Sequence, residues 1–135
     1  MTKSALLRAT ITAISIVLTT SAKAEWVDME FPKSSGFSNT YIDLTTLRVS
    51  PGTGSVWWAS DTPNASNFSS LSFLTEFNCI TGLHRNLLAY AHTAIKGGGS
   101  RIEVSKIEPW IAVNPRTKAS YIMTLVCRTS NSQGR

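Results

Sequence analysis

Leu71-Ser72-Phe73-Leu74-Thr75-Glu76-Phe77-Asn78-Cys79 is the stretch on which the fold turns. Leu71, Phe73, Thr75, Phe77 and Cys79 fall on one side of an extended segment, and Ser72, Glu76 and Asn78 on the other, with Leu74 the exception. A period of two predicts a strand with one apolar, inward face and one polar, outward face. Cys79 then closes the strand pointing inward.

Neighbouring segments follow the same pattern. Residues 39–49 are rich in Tyr, Ile, Thr, Leu and Val, and Pro51-Gly52-Thr53-Gly54 punctuates them before a second extended run, 55–61, which predicts a hairpin. Residues 62–70 form a polar loop in which Asn64-Ala65-Ser66 and Asn67-Phe68-Ser69 match the glycosylation acceptor pattern; in a serine-rich loop that pattern arises by chance and signals exposure only. Thr81-Gly82 turns the chain into a strand over 85–93. Gly97-Gly98-Gly99 connects it flexibly to 101–106 and lacks the lysine and following helix of a phosphate loop. Residues 25–31 read as a first strand anchored by Trp26.

The last segment changes period. Asn114 suits an N-cap and Pro115 a first helical turn, where its missing N–H would go unused. Ala119, Ile122, Met123 and Val126 recur at helical spacing, and Cys127 shares the stripe of Ala119 and Met123. An inward Cys79 ending a strand and an inward Cys127 on a helix predict one disulfide between them. The fold expected is α+β: a single antiparallel sheet of five to six strands with a C-terminal helix packed on it and tethered by that disulfide. The domain spans 25–128, and 129–135 reads as a polar, frayed tail.

The start of the chain supports an oxidised pair. Lys3 and Arg8 precede an apolar run over 9–18, and Ala22-Lys23-Ala24 presents the small-x-small pattern of a signal-peptidase site, which predicts a leader over 1–24 cut between Ala24 and Glu25. The run is short of the ~20 apolar residues that span a bilayer. No cysteine lies near the cut for lipidation, and no later segment has membrane-spanning length, so the expected location is periplasmic or extracellular without a lipid anchor. Lys3, Arg8 and Lys23 leave with the leader, so of thirteen basic residues ten remain against eight acidic ones, and the formal charge falls from +5 to +2. The remaining basic residues are scattered, which argues against nucleic acid as a partner.

Catalytic and metal constellations are not apparent in the sequence. His84 and His92, eight apart, would share a face of one strand yet lie about 26 Å apart, too far to hold one metal. Asp43 is a carboxylate inside an apolar strand, and the role expected of it is to accept backbone amides near a turn with Arg48 close by. No serine sits in a nucleophile elbow, no acid cluster has metal spacing, and the disulfide consumes both thiols. Neither an enzyme nor a cofactor or metal protein is expected. Trp57-Trp58 is the candidate binding surface: adjacent strand residues point to opposite faces, so one ring enters the core and the other is left toward solvent or a partner.

Glu25-Trp26-Val27, Tyr41-Ile42-Asp43-Leu44 with Leu47-Arg48, Val56-Trp57, Asn78-Cys79 leading to Arg85, then Tyr90, Pro109-Trp110 and Val126-Cys127 together resemble the surface-adhesin protein E family, in order and over nearly the whole of 25–128. The resemblance implies a helix held on the concave side of the sheet and adhesion to host extracellular-matrix proteins on a bacterial surface. Asn114-Pro115-Arg116-Thr117 departs from the family's proline-glycine-serine-like step, and the lipidation cysteine is missing. The expected partner is therefore a protein, either a host matrix protein or, for a periplasmic accessory or inhibitor protein, another envelope component. An exposed strand edge would also allow a homodimer.

Overall fold

The computed structural model describes residues 13–16 and 23–133; most of the leader expected over 1–24 lies outside them. The strands are β1 (Val27–Asp28), β2 (Thr40–Ser50), β3 (Thr53–Asp61), β4 (Ser70–Asn78), β5 (Leu83–Ala94), β6 (Gly98–Ser105) and β7 (Ile111–Ala112), followed by one helix, α1 (Lys118–Gln133). They form one antiparallel sheet in the sequential order β1 to β6, with β7 added to β5 beyond the end of β6. This is the expected α+β architecture. The first strand is shorter than 25–31, and β7, with only two residues, was not foreseen.

The alternation in β4 sets the two faces. Phe77 joins Ile42 of β2 and Val56 of β3 in a core cluster with Ile122 and Val126 of α1, and Trp58 packs against it. We call this side the helix face. Ile122, Val126 and Ser130, four apart, are all fully buried, and the helix lies over β2, β3 and β4. Gly54 allows this approach, because a Cβ there would collide with Val126 Cγ1. Cys79 and Cys127 form the disulfide with Cα atoms 5.5 Å apart.

Both helix ends differ from expectation. Asn114 and Pro115 belong to the preceding turn, where Arg116 adopts a left-handed conformation at φ 64° and breaks the helical path. The N-cap is Thr117: its Oγ1 accepts from Ser120 N at 3.3 Å while Ser120 Oγ accepts from Thr117 N at 3.2 Å, a reciprocal capping box built with serine in place of the usual glutamate. At the other end the helix continues through Gln133 where a tail was expected. Ser130 explains it: its hydroxyl donates to Ser50 O (2.6 Å) and accepts from Gly52 N (3.0 Å), docking the last turns onto the β2–β3 hairpin.

A disulfide closing a 48-residue loop restricts the unfolded chain by about 4 kcal/mol in the entropic limit. Reducing it is expected to lower the unfolding free energy measured by urea melts by an amount approaching that value, and Gly54→Ala by about 1–3 kcal/mol through overpacking against Val126. A reduced protein as stable as the oxidised one would contradict the tether.

Candidate functional site

The sheet's other face, left open by the helix, carries a concavity lined by aromatic rings and polar side chains. Trp57 of β3, opposite Asp43 of β2, and Tyr90 of β5, opposite Ser72 of β4, face this side. Their rings stack with centroids 5.8 Å apart, and the Arg101 guanidinium of β6 lies 4.3 Å over the Tyr90 ring. With Trp26, His92 and Gly97 they line a cavity of about 390 Å³, to whose lining Lys23 and Ala24 also contribute.

Buried polar contacts shape its walls. Asp61 accepts the Tyr41 hydroxyl at 2.8 Å and the Lys96 amide at 2.9 Å, and Ser70 Oγ donates to Ala94 O (2.7 Å) while accepting from Gly97 N (3.0 Å). These bonds hold the turn between β5 and β6, whose Gly97 sits so close to the Trp26 indole that a Cβ would come within 3.0 Å of Nε1. Burial, reinforced by the Asp61 carboxylate, pushes the Tyr41 hydroxyl up to about 12, so it remains a donor to Asp61 across the physiological range.

The two tryptophans divide as expected. Trp58 lies on the helix face, its ring stacked on Phe73 at 4.7 Å and its Nε1 donating to Thr75 Oγ1 at 2.8 Å. Trp57 lies on the open face, half-buried, at the cavity. Asp43 also reaches this face. It is 2% exposed, and its carboxylate accepts from the Thr45 amide (3.0 Å), the Thr45 hydroxyl and the Glu25 amide (3.1 Å). Arg48, expected beside it, instead donates to the carbonyls of Thr45 and Leu47.

The histidines do not share a face. The register of β4 against β5 skips Leu87, pairing Leu74 with Leu88 and Thr75 with Asn86, and this bulge reverses the alternation between the two positions. His84 stacks on Phe77 toward the helix face, whereas His92 meets Ser72 on the open face with Nε2 2.7 Å from Oγ. Burial depresses both imidazoles, Arg101 adding to the effect at His92 and Glu108 opposing it at His84.

The alternation along β4 places Ser72 on the polar, outward face, so the sequence does not reveal its pairing with His92. Ser72 and Ser70 are instead 2% and 0% exposed, since this face has its own cover of aromatic rings and the β5–β6 turn. As chemistry the pair is incomplete. His92 Nδ1 has no hydrogen-bond partner among the described residues, so no carboxylate orients the ring, and the Ser72 hydroxyl is buried within a strand. Among the described residues no group of three or more His, Cys, Asp or Glu side chains could hold a metal, and no helix is long and apolar enough to cross a membrane.

A family model described as surface-adhesin protein E matches residues 26–128, so the chain belongs to that family. No curated protein sequence matches. Among solved structures, Haemophilus influenzae protein E in crystal form II superposes with a TM-score of 0.58 at 17% identity, covering 78% of this chain and 98% of that one. A selenomethionine form of H. influenzae protein E gives 0.59 at 15%, covering 81% and 90%, and protein E from a non-typeable strain gives 0.55 at 16%, covering 82% and 88%. At these identities the likeness is one of fold.

Because both histidines are depressed when folded, the unfolded chain binds more protons below its ordinary histidine value of ~6.5. Their contribution to stability is complete above that pH and is lost as pH falls through the folded values. Thermal melts between pH 7.5 and 5 should show the midpoint falling, with His92→Gln flattening the dependence. A midpoint that rises on acidification would contradict the burial argument.

Proposed function

We propose that this member of the surface-adhesin protein E family is exported and works by binding a protein partner, without catalysis, through the open face of its sheet. The observation that carries the reading is the Trp57–Tyr90–Arg101 stack at the cavity. Tryptophan, tyrosine and arginine are the residue types that dominate binding hot spots, since each offers a large contact area together with hydrogen-bonding groups. Here they stand on β3, β5 and β6 of a sheet whose other face is occupied by α1. That division leaves stability to the helix face and recognition to the open one. Family membership supports adhesion as the purpose, with a host extracellular-matrix protein as the partner. The leader pattern before Glu25 supports export.

The two tryptophans separate recognition from folding. Trp57→Ala should cost less stability than Trp58→Ala and weaken binding to immobilised matrix protein about fivefold or more, corresponding to a loss above ~1 kcal/mol. Trp58→Ala should cost about 3 kcal/mol of stability, because it removes a ring stacked within the helix-face packing. External protease added to intact cells provides the second measurement. Protection of the protein there, together with no binding to matrix proteins in solution, would overturn adhesion and direct the search to an envelope component.

A further inference from the structure

Asp43 poses an electrostatic problem that export would solve. Its carboxylate is 2% exposed, yet among the described residues it makes no ion pair; those present join Arg85 to Glu76 and Lys96 to Asp28. A carboxylate removed from water without a cation is costly, and hydrogen bonds from neutral groups only partly offset that cost. One of its neutral donors is the backbone nitrogen of Glu25, 3.1 Å from Oδ2. Glu25 is also the residue that follows the predicted cleavage point, Ala22-Lys23-Ala24.

We propose that removal of the leader converts this hydrogen bond into an ion pair, with Asp43 serving as the built-in receptor for the new amino terminus. The proposal rests on the export reading. Hydrolysis adds water across the Ala24–Glu25 amide: hydroxyl goes to the Ala24 carbonyl, whose acid ionises, and hydrogen to the Glu25 nitrogen, which takes up a further proton to become an α-ammonium. The charge appears where Asp43 already accepts, so little rearrangement is needed, and a charge-assisted bond replaces a neutral one. Trp26, seated against Gly97, and the pairing of Val27 with Ile42 keep the terminus in register. Lys23 and Ala24, which form part of the cavity's lining, depart in the same step.

The test uses protein exported by cells expressing the full chain. Mass spectrometry of the purified product should find Glu25 at its amino terminus; any other terminus overturns the proposal and leaves the reading of the open face as a binding surface untouched. The terminal amine is then labelled by ¹³C reductive dimethylation and titrated by NMR in the folded and the urea-unfolded protein. The other titratable and charged groups lining the cavity are His92, Tyr90 and Arg101, and Lys23 until it leaves with the leader. The folded amine should titrate above both its unfolded value and the ordinary ~8 of an α-amine, and Asp43→Asn should abolish the difference. Stability from the pair is then complete below the unfolded value and lost as pH rises through the folded one. Equal titration in the folded and unfolded wild type overturns the pairing, and that comparison decides the matter even if Asp43→Asn does not fold.

Discussion

The close seating of α1 on β2, β3 and β4 is the constraint from which the rest of the molecule follows. It depends on a glycine, Gly54, beneath Val126, and it is secured at both ends: Thr117 and Ser120 cap the start, while Cys127 and Ser130 fasten the last turns to Cys79 and to the β2–β3 hairpin. Once one face of the sheet is occupied this way, Ile42, Val56 and Phe77 are committed to the core. Their strand neighbours must then be accommodated on the other side.

That other side is not a plain solvated surface. Polar groups are buried on the helix side as well, where the Lys118 ammonium at the first turn of α1 donates to Ser38 Oγ and Ser60 Oγ and is depressed by burial, with Asp61 opposing the shift. On the open face the same economy of space applies. Ser70, Ser72, Asp43 and His92 are buried beneath Trp57, Tyr90, Trp26 and the β5–β6 turn, each hydrogen-bonded through at least one atom. The result is a polar floor under an aromatic cover, an arrangement suited to recognition because the rings are positioned by groups that cannot easily move.

Parts of this were legible in the chain. Leu71, Phe73, Thr75 and Phe77 announced their face because four consecutive alternations on a regular strand carry the sign of the core, and Cys79 extended it to the disulfide. The stripe of Ile122, Met123 and Val126 did the same for the helix. The start of that helix was misplaced because Asn114-Pro115 has the chemistry of a cap, yet the left-handed Arg116 that follows interrupts the path and hands the role to Thr117. The histidine faces were misassigned for a comparable reason. A period of two counts residues, and the bulge at Leu87 inserts one that no side chain in the sequence marks.

Sequence alone therefore determined the class of fold, the pairing of Cys79 with Cys127, and the division of Trp57 from Trp58 between faces. These depend on local periodicity, on having two cysteines, and on composition, all of which are read along the chain. Tertiary structure decided what lies beside what on the open face: Tyr90 under Arg101 and against Trp57, Ser72 against His92, and the Glu25 nitrogen against Asp43. Those contacts join strands through register, a bulge and a turn held by Asp61 and Ser70, and register is a property of paired chains that no single segment contains.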